Sequence, residues 1–138
     1  MDIISELYRR IENEGLWEKE VFLKRNEYLC EGGNVETNLY YILSGSVKVF
    51  ILDDFEERIV RFGYRNNFVA AMDSFISQKP SDFYIQAIKE TKLKMISRSK
   101  YLEFINKDHE NRMFWNQILE QLILQQLERE KDILTTSP

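Results

Sequence analysis

Leu39-Tyr40-Tyr41-Ile42-Leu43-Ser44-Gly45-Ser46-Val47-Lys48-Val49-Phe50 is the stretch on which the reading of this chain turns. Two runs rich in β-branched and aromatic residues flank Ser44-Gly45-Ser46. That pattern is a strand, a tight glycine turn and a second strand. Similar short runs continue on both sides. Candidate strands fall at 20–25, 28–31, 38–44, 46–52, 57–63, 67–70, 83–88 and 91–97. Further turn signals stand at Gly32-Gly33-Asn34 and Asp53-Asp54, and no proline interrupts a strand. Many short strands separated by turns predict an all-β sandwich or barrel.

Outside this region the period changes. Ile3, Ile4, Leu7, Tyr8 and Ile11 recur at helical spacing and Gly15 suits the position after a helix, which predicts a short helix at about 2–14. Ser97 or Ser99 can cap a short helix over 98–105, and Asn106 to His109 reads as a polar hinge. A long helix follows over about 110–134. Trp115, Leu119, Leu122, Ile123 and Leu127 share one broad face of it, with Ile118 beside them. The face is wider than a coiled-coil seam, so it is expected to pack both on its own barrel and on a twin helix. That predicts a homodimer through Trp115, Ile118, Leu119, Leu122 and Ile123.

The totals exclude several classes. A chain of 138 residues fits one domain, here taken as 1–138 with its β roll over 16–97. The longest apolar runs, such as Val69-Ala70-Ala71-Met72, are far short of a membrane span, and the N-terminus lacks the order of a secretory signal. A cytoplasmic protein with no membrane partner is expected. One cysteine, Cys30, and one histidine, His109, are too few for a zinc site or an iron–sulfur cluster, so no metal and no cofactor is expected. The net charge of -4 gives no basic footprint for nucleic acid. No Ser/His/Asp set and no phosphate loop is visible, so no catalytic residue is assigned and the chain is not read as an enzyme.

The hairpin at 39–50, with Gly33 just upstream, resembles the front half of the cyclic-nucleotide-binding domain of the Crp/Fnr family of bacterial transcription regulators. The order of helix, β roll, cassette and long helix agrees with that family from about Leu16 to Leu134. The resemblance implies an eight-stranded double-stranded β-helix (a jelly-roll barrel), mainly β, with a short N-terminal helix and a long C-terminal dimerisation helix. It also implies a small-molecule effector, and DNA contact only through a helix-turn-helix domain that this chain does not contain. A stand-alone β-roll ligand-binding or interaction module without DNA function is the alternative.

In that family a cassette after the hairpin holds the cyclic nucleotide. A glutamate accepts from the ribose, and an arginine and turn N–H groups hold the phosphate. The corresponding stretch here is Asn66 to Ala87, NNFVAAMDSFISQKPSDFYIQA. With Phe75 and Ala87 as anchors, the family's glycine falls on Ala70 and its glutamate on Ala71. The arginine falls on Ser81, the next small hydroxyl residue on Asp82 and the alanine on Phe83. Lost contacts of this kind are worth about 1.5–3 kcal/mol each, so the resemblance implies a domain that does not bind cyclic AMP in the family manner. Asp73, near the start of the short helix, can fill the anion position with its own carboxylate.

The ligand-pocket candidates are therefore Ala70, Ala71, Met72, Asp73, Ser74, Ser81, Asp82 and Phe83. Ser81 and Asp82 also read as a polar turn after Pro80 that bonds local backbone. Arg58, Arg61 and Arg65 form a basic cluster. Such a cluster can face an anionic ligand, but in a regular strand Arg58 and Arg61 point to opposite faces, which reads as ordinary surface exposure. Lys79 and His109 read as solvated side chains.

Overall fold

The computed structural model describes residues 2–136, and the side chains of 2–134. Helix α1 (Ile3–Asn13) is capped by Asp2, whose carboxylate accepts from the Ile4 N–H at 3.1 Å. It stops at Gly15, which adopts φ +66°. Eight strands follow: β1 (Lys19–Leu23), β2 (Tyr28–Cys30), β3 (Leu39–Ser44), β4 (Ser46–Asp53), β5 (Glu56–Tyr64), β6 (Phe68–Val69), β7 (Tyr84–Ala87) and β8 (Thr91–Ile96). Helix α2 (Met72–Ser77) interrupts them between β6 and β7, and α3 (Arg98–Asn106) and α4 (His109–Thr136) close the described chain. The strands form two antiparallel four-stranded sheets, in the orders β1-β8-β3-β6 and β2-β7-β4-β5. This is the all-β fold with flanking helices that the sequence pattern predicts, in the jelly-roll form that the resemblance implies.

The opening hairpin is central because β3 is buried on both faces. Tyr41 faces a core shared with the helices, including Leu7, Ile11, Phe75, Tyr101, Phe104 and Trp115. Tyr40 and Ile42 face a second core between the sheets, with Val47, Val49, Val69, Ile85 and Leu93. A strand covered on both sides has no polar face to show, hence the unbroken Leu39–Leu43 run. Each large side chain buried this way contributes about 1.5–3 kcal/mol. The turn between β3 and β4 demands glycine twice over. Gly45 has φ +95°, and a Cβ there would meet the Glu90 carbonyl oxygen at 2.4 Å. Thr91 Oγ1 fastens the same turn by bonding both the N–H and the carbonyl of Ser46.

Strand β5 carries an irregularity that bears on function. Along β4 and β5 the register runs Val49 to Arg61 and then Phe50 to Ile59, so Val60 is an extra residue. This β-bulge resets the alternation. Arg58 lies opposite Ile51 and Arg61 opposite Val49, and Ile51 and Val49 belong to one face of β4. The two arginines therefore share a face, which corrects the expectation of opposite faces. That expectation assumed an unbroken period of two.

Candidate functional site

Two spaces border the cassette, on different sides of the roll. The first lies over the turn that follows Pro80. It is an open groove of about 590 Å³ lined by Gly32, Gly33, Ile51, Leu52, Asp73, Asp82, Phe83 and Tyr84. Its floor is a closed polar network centred on Asp73. One carboxylate oxygen of Asp73 accepts from the Ser81 hydroxyl at 2.7 Å and from the Ser74 N–H at 2.8 Å. The other accepts from the Asp82 N–H at 2.8 Å. Ser81, almost fully buried, also accepts from the Phe83 N–H at 2.9 Å. The glycine loop before β3 is tied to the same turn: the Gly33 N–H donates to the Ser81 carbonyl and the Ser81 N–H to the Asn34 carbonyl. Ser74 joins the network from below, its hydroxyl accepting from the Glu36 N–H at 3.0 Å. The donors that converge on this turn already hold an anion, and the anion is a side chain of the protein.

Cys30 reports on this corner. Its thiol donates to the Phe83 carbonyl at 3.4 Å. Burial first, then the charges of Glu36 and Asp73, push its pKa up to about 11.

The second space lies between the roll and α4, with a volume of about 380 Å³. Val49, Val60, Ala70, Met72, Phe83, Leu119 and Leu122 make most of its wall. The polar side chains lining it are Arg61, Gln125, Gln126 and Arg129, and no Asp or Glu is among its residues. A smaller adjoining space of about 180 Å³ also has Arg61 and Gln125 in its wall and again no carboxylate. The bulge at Val60 explains the placement, since Val60 and Arg61 both reach this side. Arg129 donates to the Ile59 carbonyl at 3.3 Å. Arg58, by contrast, is exposed and pairs with Asp53 and Glu56. Arg61 is half-buried, and its guanidinium has no ion pair or hydrogen bond among the described residues. Burial alone shifts its pKa downward, though a guanidinium stays charged throughout the working range.

The predicted site residues divide between these spaces. Ala70, Met72 and Phe83 line the cavity beneath α4, and Asp73, Asp82 and Phe83 line the outer groove. Ala71 is fully buried in the inter-sheet core, and Ser74 and Ser81 are consumed by the Asp73 network. Asn66 adopts φ +69°, a left-handed conformation an asparagine tolerates, and accepts from the Tyr41 hydroxyl at 2.8 Å. Of the predicted helix-face residues, Trp115 and Ile118 are buried against their own roll, and Leu119 packs beside them. Leu122 and Ile123 line the cavity, while Ile123, Leu124 and Leu127 are exposed. Sequence reasoning weighed Arg61 only as part of an exposed basic cluster and did not place Arg129 at a site. The signal was present as a basic residue between Ile59-Val60 and Phe62, but the bulge that aims Arg61 inward is invisible to a period of two.

An aromatic contact joins the cassette to the helices. Phe75 of α2 meets the Tyr101 ring edge-on at 6.2 Å and the Trp115 ring at 6.0 Å, and Tyr101 meets Trp115 at 5.1 Å. Arg98 donates to the Phe75 carbonyl at 2.6 Å. The wall of the cavity and the base of α4 are thus one packed unit.

Among the described residues, no group of three or more His, Cys, Asp or Glu could hold a metal ion. None of the described helices is long and apolar enough to cross a membrane.

No curated protein matches the sequence. The fold, in contrast, has many solved relatives. The catabolite activator protein of Thermus thermophilus is 18% identical and superposes with a TM-score of 0.78 over 96% of this chain; the chain spans 62% of that protein's length. The sensor domain of the transcriptional regulator DNR from Pseudomonas aeruginosa is 24% identical with a TM-score of 0.65, covering 87% of this chain and 79% of that one. Oxidized CprK in complex with o-chlorophenolacetic acid is 12% identical with a TM-score of 0.72, covering 92% and 53%. At these identities the likeness is one of fold. Residues 20–108 match the sequence profile of the cyclic nucleotide-binding domain, and with the glycine hairpin, the two-sheet roll and the α2 cassette in place, the chain belongs to the cyclic nucleotide-binding domain family.

Proposed function

We propose that this chain is the effector-sensing domain of a Crp/Fnr-like regulator and does not use its cassette to hold a cyclic phosphate. The observation that carries the reading is Asp73. Its carboxylate accepts from the Ser81 hydroxyl and the Asp82 N–H, donors on the turn where the family's phosphate would be held. A phosphate entering there would displace one anion by another and face Asp82 as well. No arginine compensates at Ser81 and no glutamate stands at Ala71 to meet a ribose. The effector space is instead the cavity beneath α4. A ligand filling it touches both the roll and α4, so it changes how the helix is held.

The exposed leucines of α4 supply the output surface. Leu124 and Leu127 point away from the roll and suit a second copy of the helix, and that pairing passes effector occupancy on to a DNA-reading domain. Regulators among the fold relatives support this reading, and CprK shows that such a roll is found with a small aromatic acid. The reading is tested by calorimetric titration of cyclic AMP and cyclic GMP into the chain. No heat of binding is expected for either at micromolar concentrations. Micromolar binding of one of them removes the proposal.

A further inference from the structure

The most unusual group in the molecule is a cation without an anion. Arg61 comes off the bulge in β5 into a mostly apolar cavity, is half-buried, and has no partner among the described residues. The chain as a whole is acidic, with 23 acidic against 19 basic residues, so carboxylates are plentiful. Other cations, Arg10, Lys48, Arg58, Lys92, Lys94 and Lys107 among them, have found acidic partners. The wall around Arg61 contains a second guanidinium, Arg129, two amides and no carboxylate. Burying a charge is costly unless it is paired. A solitary guanidinium in such a wall is poised for a counter-ion brought from outside, and its planar fork matches a carboxylate in two parallel hydrogen bonds.

We infer that the cavity beneath α4 binds a small organic acid, with its carboxylate on Arg61 and its apolar body against Met72, Phe83 and Leu122. This rests on the reading of that cavity as the effector space and names the chemical class of the effector. The volume of about 380 Å³ lies at the lower end of ligand pockets and fits one ring or a medium acyl chain. The geometry favours a carboxylate over a phosphate ester. Among the cavity-lining guanidinium groups only Arg61 is wholly free, because Arg129 is already bonded to the Ile59 carbonyl. The N–H cradle that a phosphate needs lies instead at the Asp73 corner, and is filled. Arg129 and the amides of Gln125 and Gln126 lie on α4, within reach of the acid's polar end. Binding would therefore tie α4 to β5 through the ligand.

The test uses the full chain, with arginine Nε–Hε signals followed by NMR during titration to millimolar concentrations of phenylacetate, octanoate, phenylacetamide, phenyl phosphate and cyclic AMP. Phenylacetate or octanoate is expected to shift the Arg61 signal saturably, and phenylacetamide is expected to bind at least tenfold more weakly. Arg61→Gln should abolish the response to the acids while leaving the amide spectrum of the fold unchanged, and Arg61→Lys should restore part of it. Equal binding of acid and amide overturns the inference, as does tighter binding of phenyl phosphate or silence toward both acids. Silence toward acids and cyclic AMP alike leaves the reading of the cavity standing while removing the acid. Cyclic AMP binding at micromolar concentrations removes the reading itself.

Discussion

The outer groove and the inner cavity share Phe83 as a wall, yet they have solved the same electrostatic problem in opposite ways. At the outer corner a cluster of donors meets a carboxylate that the chain supplies itself, Asp73. In the inner cavity a donor meets nothing, because Arg61 has no partner among the described residues. The first arrangement is a satisfied network and should act as structure. The second is an unsatisfied charge, which costs stability; on the proposed reading a bound acid supplies the missing partner. Family resemblance would place recognition at the first. The unmet charge is the reason for proposing it at the second.

The largest effect that would sharpen this contrast is chemical. Cys30 lies beside the Asp73 network with its pKa pushed up to about 11, against an ordinary value of about 9. Near pH 8 its thiolate fraction is then lower by about 100-fold, and the reactive species is the thiolate. Iodoacetamide should modify the folded chain at least 100-fold more slowly than the chain in urea. Asp73→Asn, which removes a negative charge that raises this pKa, should speed the folded-state reaction. An unchanged rate would mean that the Asp73 charge is not felt in the corner. The same shift sets a pH dependence. Below about pH 9 the thiol is protonated in both states. As pH rises toward 11 the unfolded chain releases its proton first, so stability falls across that window. Denaturant midpoints measured between pH 8 and 11 check the sign.

The next effect is on stability. Asp73→Ala strips the acceptor from the Ser81 hydroxyl and from two backbone N–H groups. Leaving such donors unmet costs about 1–3 kcal/mol, and urea unfolding should show a loss of about 2 kcal/mol on that scale. Asp73→Asn keeps one acceptor oxygen and should lose less. A loss under half a kilocalorie in Asp73→Ala would make the corner an open site and weaken the contrast.

How far these two regions were legible in the sequence differs for a physical reason. The strand and turn pattern is local: Gly45 and the two-face burial of Leu39–Leu43 leave marks at fixed spacing, so an all-β sandwich or barrel follows from the string, and the family resemblance narrows it to a jelly roll. The Asp73 anion could be anticipated as well, since an acid at the start of a short helix has an obvious place to go. Arg61 could not. Its direction depends on one extra residue, Val60, and a bulge moves every later side chain of its strand to the other face. The helix face was half legible for a related reason. Trp115, Leu122 and Ile123 follow one apolar stripe in the sequence, but only three-dimensional packing separates residues held by the roll, such as Trp115 and Ile118, from those left outside, such as Leu124 and Leu127.

A smaller effect should come from the aromatic contact that joins the two regions. The Tyr101 ring touches both Phe75 of the cassette and Trp115 of α4, and its buried hydroxyl has no hydrogen-bond partner among the described residues. Burial holds its pKa well above the ordinary tyrosine value. Tyr101→Phe keeps the ring contacts and removes an unmet polar group, so it should raise stability by about 1 kcal/mol. Loss of stability would reveal a partner for the hydroxyl and with it a polar link between cassette and helix.

The smallest effect is the one that opposes the two regions most directly. Arg61→Met removes the half-buried, unpaired charge and leaves an unbranched apolar side chain that can follow the arginine stem along the cavity wall. Replacing a buried charge by a well-packed apolar group is often neutral or stabilising. Because Arg61 retains some contact with water, the gain is expected to be only about 0.5 kcal/mol, read as a small rise in the urea midpoint at constant slope. Its sign is what matters, for it is opposite to that of Asp73→Ala. An ionised group that stabilises the empty fold has its partner already, as Asp73 does. One whose removal stabilises the fold is kept for something the fold does not contain. A loss of stability in Arg61→Met would mean that the guanidinium is structural, and the two corners would then be alike.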